Sequence, residues 1–331
     1  MLVHSSAPTR LDLAGGTLDI WPLYLFHKGA QTLNAAITAR AECTLSPSAD
    51  NSWHLQSRDT GETLTVHDLE GVPDTPRHRL VLRLLQHFQP EPVTVVTHSD
   101  SPVGAGLAGS SALNIALCGA LSRYVETAYT ADSLMSLAGN LEAQVIGVPT
   151  GVQDYRPAMF GGIASVEMGP DGVTRSALGV EPEALGARIV LVYTGQSRDS
   201  GINNWEVTKR HIDGDRRVID LFDDIADVAR AMREALETSD WDEVGRQLVR
   251  EWTLRKQLAP GVTTPAIDAL VDHGLNAGAW GAKVCGAGGG GCLLFLADPS
   301  SVPTIRRTLA EAGASVIDTM IDLDGLKVEV G

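Results

Sequence analysis

Residues 102–112 read Pro102-Val103-Gly104-Ala105-Gly106-Leu107-Ala108-Gly109-Ser110-Ser111-Ala112. Before them, Pro92 to His98 (PVTVVTH) is rich in β-branched residues and predicts a strand. After them, Leu113, Leu117, Ala120, Leu121 and Tyr124 mark one face of a helix predicted from Ser111 to Val125. A strand, a glycine-rich turn and a helix start in this order form a phosphate cradle. Glycines let the backbone turn tightly and come close to a ligand. The N–H groups of a first helical turn lack intrahelical partners, and the helix dipole favours an anion there. Ser110 and Ser111 add hydroxyls that suit a helix cap or a metal ion. The segment is not a Walker A loop, because no Gly-Lys-Ser/Thr closes it. It also lacks the Rossmann fingerprint: after Gly104 and Gly106 the next glycine is Gly109, in mid-chain. Taken alone, such a Gly/Ser-rich helix start also reads as a plain loop.

The 34 glycines concentrate in this segment and three others. Lys283 to Cys292 reads KVCGAGGGGC, between strands predicted at Ala282–Cys285 and Cys292–Leu296. A hairpin needs only one or two residues of positive φ, so Gly286 to Gly291 exceed that need. Either the turn is flexible, or its backbone packs closely against another loop or a nucleotide. A further segment, Gly147 to Tyr155 (GVPTGVQDY), follows a helix predicted over Ala131–Ile146 and carries Gly151 and Asp154. By itself Asp154 reads as a cap or turn residue. Glu142, at the border of that helix's apolar face, reads as a solvated flank. The opening segment, Ala7 to Trp21, holds Arg10 and Asp19 on either side of a strand and a Gly15-Gly16-Thr17 turn. Each charge alone reads as a surface ion-pair partner.

Outside these segments, strands are expected at Leu33–Leu45, Thr63–Val66, Arg188–Tyr193 and Ser315–Ile321. Helices are expected over Arg77–Phe88, Arg216–Thr238, Trp241–Gln257, Pro265–Ala277 and Val302–Ala312. Strands mixed with helices, without regular βαβ alternation, predict an α+β fold. Turn residues at 169–172 and Pro182 suggest two domains, 1–180 and 181–331.

The chain has 331 residues and a formal net charge of −15. With 44% hydrophobic residues it carries enough apolar surface to fold, which excludes whole-chain disorder. The acidic balance and the lack of a Lys/Arg run argue against a nucleic-acid partner. No apolar stretch reaches the ~18 residues of a membrane span. No secretory signal opens the sequence, so a cytoplasmic location is expected. Cys43, Cys118, Cys285 and Cys292 form no CxxC pair and read as reduced, buried thiols.

Together the four segments resemble those of the GHMP kinases, the superfamily of galactokinase, homoserine kinase, mevalonate kinase and phosphomevalonate kinase. APTR…GG…D at 7–19 is similar to the first family motif, PVGAGLAGSSA to the ATP-binding second, and GAGGGGC to the third. GVPTGVQD resembles the catalytic-aspartate region. The nine-residue step from Arg10 to Asp19 and the TG-x-x-R segment Thr194–Arg198 are similar to the sugar kinases related to heptose-7-phosphate kinase and fucokinase. Two departures stand out. Thr17 and Leu18 replace the usual Gly and Thr, and Ala108 and Gly109 stand where Gly and Ser are common.

The resemblance implies a two-domain α+β fold with the active site in the interdomain cleft, and transfer of the γ-phosphoryl group of ATP to a small-molecule hydroxyl with Mg²⁺. It implies that Asp154 is the general base and that Arg10 pairs with it. Pro102, Gly104, Ala105, Gly106, Leu107, Ala108, Gly109, Ser110 and Ser111, with Gly286, Gly288 and Gly289, would hold the nucleotide. Ser111 and Glu142, with Ser110 as the alternative hydroxyl, would hold Mg²⁺. Asp19, Gly16, Thr17, Gly151 and Asp154 would hold a sugar or sugar phosphate, phosphorylated at the anomeric C1 hydroxyl. Lys28, Arg156 and Arg198 are candidates to meet a substrate phosphate, and Trp21 or Trp205 to stack on a sugar. A mevalonate- or homoserine-type acceptor and a non-catalytic ligand-binding regulator are the alternatives.

Overall fold

A computed structural model describes residues 1–72, 75, 78–196 and 201–331, with backbone alone at 201–203. Two long strands, β1 (Val3–Ala14) and β2 (Gln31–Pro47), pair antiparallel from Val3↔Leu45 to Ala14↔Leu33. From Ile37 onward β2 alternates buried and half-buried residues, as a strand with one covered face should. The first part of the chain adds β3 (Trp53–Ser57), β4 (Thr63–Val66), α1 (Arg79–Phe88), β5 (Val93–Ser99), α2 (Gly109–Tyr124) and α3 (Ala131–Ile146). The short α4 (Tyr155–Phe160) and the strands β6 (Ile163–Gly169) and β7 (Gly172–Ala177) follow. The second part runs α5 (Pro182–Gly186), β8 (Ile189–Tyr193), α6 (Gly201–Ile212), α7 (Arg216–Glu237), α8 (Trp241–Leu258), α9 (Pro265–Asn276), β9 (Ala279–Val284), β10 (Cys292–Ala297), α10 (Val302–Glu311), β11 (Ser315–Ile317) and β12 (Lys327–Val330).

Among the described residues these strands form an eight-stranded sheet, β12-β1-β2-β5-β3-β4 with β6 and β7 beside β2, and a four-stranded sheet, β11-β8-β10-β9. The fold is α+β, as expected. α1, α2 and α3 cover one face of the larger sheet, where Leu84, Leu85, Ile115, Leu117 and Leu121 are buried against Leu45 and Val95. The smaller sheet packs against α9 and α10 through Phe295, Val192, Ile305 and Leu309. A third cluster joins the two parts: Leu11, Leu33 and Ile37 of the larger sheet meet Met232 of α7, Leu248 of α8 and Leu294 of β10. Neither sheet can move far without opening this core. All four cysteines are free and buried.

The differences from expectation follow from context. The strand predicted over Ser315–Ile321 ends at Ile317, and beyond it Ile321 makes an isolated bridge to Ile37. β12 (KVEV) alternates charged residues with valines over only four exposed positions, too short a pattern to predict a strand; backbone pairing with β1 creates it. It carries the end of the chain back to the first sheet. α4 holds a proline and α6 two asparagines, which hides both from propensity reading. The helix expected from Arg77 starts within the description at Arg79; Arg77 lies outside the described residues.

Candidate active site

The segment that joins β5 to α2 makes two left-handed steps at Gly104 (φ 70°) and Gly106 (φ 77°), and a third at Ala108 (φ 60°). Ala108 is the N-cap of α2 and makes no side-chain cap bond. By contrast, Thr130, Asp215, Asp240 and Thr264 cap α3, α7, α8 and α9 with side-chain oxygens. The first turn of α2 therefore opens into a cleft of about 680 Å³ without a side chain to absorb its N–H groups. A Cβ on Gly106 would lie 2.2 Å from the Cys285 carbonyl oxygen, and one on Gly291 would lie 2.7 Å from that of Ala105. The Cys292 N–H donates to Ala105 O at 2.8 Å. The two glycine segments, about 180 residues apart, are thus packed backbone to backbone.

Arg10 sits on β1, almost fully buried, and reaches both sides of the cleft. Its Nε donates to Asp154 Oδ1 at 2.8 Å, its Nη2 forms an ion-pair contact with the same oxygen at 2.6 Å, and its Nη1 donates to Gly106 O at 2.8 Å. Burial alone would lower its pKa, but the charges of Asp154 and Asp12 outweigh burial and raise it. It is a permanent cation. Asp154 is the N-cap residue of α4, yet its side chain makes no cap bond and is 23% exposed. The carboxylate is left to Arg10 and the cleft.

Asp19 lies on the same wall, buried. The backbone N–H and side-chain amide of Gln153 donate to its two oxygens at 3.1 and 3.3 Å. Burial pushes its pKa up to about 7; the Asp154 charge adds to this, and the Gln153 N–H opposes it. Gly151 is required by this approach, since a Cβ there would be 2.0 Å from Asp19 Oδ2. On the opposite side Glu142 is buried, not a solvated flank. Ser110 Oγ donates to it at 3.0 Å, Ser111 Oγ at 3.1 Å and the Tyr155 hydroxyl at 2.6 Å. Burial raises the Glu142 pKa, Asp154 adds to the effect, and the Tyr155 and serine hydroxyls oppose it.

Most of the predicted site residues line one cleft: Arg10, Thr17, Asp19, Pro102, Gly104, Ala105, Gly106, Ala108, Gly109, Ser110, Ser111, Glu142, Gly151, Asp154 and Gly286. Others do not. Leu107 points into the core. Gly288 and Gly289 pack on Val262, with the Gly289 N–H donating to its carbonyl at 2.7 Å, because the glycine run turns away from the cleft after Ala287. Gly16 is pressed against Asp12 and Arg255 beneath the turn. Arg156 spends its guanidinium on the carbonyls of Val152 and Val173. Lys28, Trp21 and Trp205 are exposed outside the cleft lining. Arg198 lies outside the described residues.

Sequence reading missed Tyr155, although it adjoins Asp154. It also missed a buried ionic cluster of Asp12, Glu251, Arg255 and Lys283. Signals for these existed. Asp12 is two residues from Arg10 on one strand, hence on the same face. Glu251 and Arg255 have the i,i+4 order of a helical ion pair. Lys283 interrupts an apolar strand. Burial alone would raise the Asp12 pKa, but Lys283, Arg255 and Arg10 hold the carboxyl below its ordinary value.

The cleft can bind an anion at the α2 start, hold a hard cation at Glu142, and present a carboxylate fixed by Arg10. Known proteins resemble this chain in sequence and fold. The chain is 27% identical over 335 residues to the D-glycero-alpha-D-manno-heptose 7-phosphate kinase of Campylobacter jejuni, covering 98% of each. It is 30% identical over 240 residues to the mevalonate kinase of Thermococcus sibiricus, covering 72% of this chain and 69% of the relative. A D-glycero-D-manno-heptose 1-phosphate kinase from Bacteroides thetaiotaomicron shares the fold, with TM-score 0.80, 23% identity and 99% of each chain covered. Residues 78–162 match the GHMP kinases N terminal domain and residues 232–315 the GHMP kinases C terminal family. The first match spans the phosphate cradle and Asp154, and the second spans the glycine run packed against that cradle, so the chain belongs to the GHMP kinases.

Proposed function

We propose that this protein is a sugar kinase, transferring the γ-phosphoryl group of ATP to a sugar or sugar-phosphate hydroxyl, the anomeric C1 hydroxyl in particular. The observation that carries the reading is the Arg10 guanidinium, which joins Asp154 to the Gly106 carbonyl and so ties the proposed base to the phosphate cradle.

The residues present fit ATP and Mg²⁺. The uncapped α2 start suits phosphate oxygens, and Glu142 with two serine hydroxyls offers the hard oxygen donors Mg²⁺ prefers. When bound, Mg²⁺ neutralises phosphate charge. Ser111 and Glu142 would hold it. The backbone of Gly104 to Ser111 holds the phosphates, and the apolar wall of Val103, Leu113, Val145 and Val148 suits a base.

Asp154 accepts a hydrogen bond from the attacking hydroxyl. The acceptor oxygen bonds to the γ-phosphorus as the bond to the ADP oxygen breaks, and the hydroxyl proton passes to Asp154. A carboxylate is a weak base for an alcohol, so Asp154 mainly orients the nucleophile and the proton moves late. Asp19, Thr17 and Gly151 form the acceptor wall. Sugar over mevalonate or homoserine is supported by Asp19, which suits several hydroxyls and repels a substrate carboxylate when ionised, and by the full-length heptose kinase relative.

The test is an ADP-release screen over free sugars, sugar phosphates, mevalonate and homoserine with Mg-ATP. Turnover is expected on a sugar or sugar phosphate, with kcat for Asp154→Asn lowered by about 10²-fold or more. Turnover confined to the non-sugar alcohols, or near-wild-type kcat in Asp154→Asn, would refute the reading.

A further inference from the structure

The buried ionic cluster has no part in the chemistry just described, yet two of its members, Asp12 and Arg255, line the cleft. Lys283 Nζ lies 3.3 Å from Asp12 Oδ2 and 3.4 Å from Glu251 Oε1. Arg255 Nη1 lies 3.6 Å from the same two oxygens. Two cations and two carboxylates balance. Burying such a cluster is weak as a source of stability, because apolar packing of equal volume does as well. Its other bonds indicate a different use. Arg255 Nη2 donates to Gly286 O at 2.8 Å and to Thr17 Oγ1 at 3.3 Å. The Gly15 N–H donates to Glu251 Oε1 at 3.2 Å. Gly15 (φ 87°) and Thr17 (φ 71°) are both left-handed, and Thr17 has no glycine's freedom to be so. A Cβ on Gly16 would lie 2.2 Å from Asp12 Oδ2 and 2.7 Å from Arg255 Nη1. The turn is thus pulled down onto the cluster, and the glycine segment at Gly286 is held by the same guanidinium.

We propose that Arg255 is a positioning residue for phosphoryl transfer. With Asp12, Glu251 and Lys283 it sets the spacing between the Gly15–Thr17 turn and the segment at Gly286. The inference rests on the reading above that the turn faces the acceptor and Gly286 the nucleotide. Transfer in line depends on that spacing, and a displacement of about 1 Å can cost about 10²-fold in rate.

The experiment compares full-length Arg255→Met, Arg255→Lys and the pair Asp12→Asn/Arg255→Met. It reads thermal unfolding, ADP affinity, and kcat and KM on the best acceptor of the screen. Arg255→Met alone strands a buried carboxylate and should lower Tm. The double variant keeps Lys283 with Glu251, removes that stranded charge and should recover Tm. Its kcat is expected to stay at least about 30-fold low and its acceptor KM raised, with ADP affinity within about threefold of wild type. Arg255→Lys, which keeps the charge but cannot bridge Thr17 and Gly286 together, should fall between. If kcat and KM recover along with Tm in the double variant, the cluster is only structural and the proposal fails. Should Arg255→Met not fold, the double variant and Arg255→Lys decide, and wild-type kinetics in either overturns it. A wild-type protein inactive on every sugar overturns the sugar-kinase reading and this proposal together; an active wild type with unaffected variants overturns the proposal alone.

Discussion

Replacing Arg10 by Met or Lys separates charge from geometry at the centre of the cleft. Arg10 makes one hydrogen bond and a further ion-pair contact to Asp154 Oδ1, and one hydrogen bond to Gly106 O. A hydrogen bond to a charged group contributes about 1.5–3 kcal/mol. Asp154 is 23% exposed, so water recovers part of the loss, and the lower value is taken for the bond to Asp154 and for the bond to Gly106 O. The sum is ~3 kcal/mol, or about 10²-fold in rate at ~1.4 kcal/mol per decade. In Arg10→Met that loss should fall on kcat, because the Asp154 carboxylate loses its fixed orientation and the cation beside the phosphate. Arg10→Lys keeps the charge, but an ammonium cannot span Asp154 and Gly106 in a planar fork. Its kcat should fall about tenfold. The assay is steady-state ADP release with saturating Mg-ATP, with Tm measured for each variant. If Arg10→Met stays folded and keeps kcat within about threefold of wild type, the Arg10–Asp154 pair is not part of the reaction.

Asp19 predicts a pH effect. Its carboxyl titrates at about 7 in the folded protein against an ordinary 3.8, so the folded state holds the proton more tightly. The resulting stabilisation is complete below pH 3.8 and is lost as pH rises through about 7. Unfolding free energies should show wild type losing up to ~4 kcal/mol relative to Asp19→Asn between about pH 4 and 8; a flat difference contradicts the shift. Gly106→Ala places a methyl 2.2 Å from the Cys285 carbonyl at φ 77°, so stability should drop by ~2 kcal/mol or more and ADP binding should weaken. Wild-type Tm and ADP affinity would show that the two glycine segments separate freely. Glu142→Ala should raise the Mg²⁺ concentration for half-maximal rate, and Tyr155→Phe, which removes the 2.6 Å bond to Glu142, should do so more weakly. Unchanged Mg²⁺ titrations in both would exclude Glu142 from the metal site.

Much of the site was legible because its chemistry is local. A glycine turn between a strand and a helix offers an anion cradle from local sequence, although alone it also reads as a plain loop. Asp154 and Arg10 were legible only through the family resemblance, since by themselves a turn aspartate and a strand arginine look like surface charges. Burial decides the difference: Arg10 is almost fully buried, and Glu142, which the helical pattern put at a solvated border, is covered by Ser110, Ser111 and Tyr155. The glycine run shows the converse. Gly288 and Gly289 are compositionally identical to Gly286, but Val262 takes them out of the cleft.

By itself, the order of residues determined the α+β class, the main helices and core strands, the four glycine-rich segments and the spacing from Arg10 to Asp19. These are properties of periodicity and backbone freedom, which neighbours in sequence control. Only the tertiary structure decided what those segments face. It brought Gly106 onto Cys285, joined Arg10 to Asp154 across 144 residues, and gathered Asp12, Glu251, Arg255 and Lys283 beneath the Gly15–Thr17 turn. The physical reason is that electrostatics acts through space. A charge is a solvated surface group or a positioned site residue according to what excludes water from it and what counter-charge lies beside it, and both are set by chain segments far away in sequence.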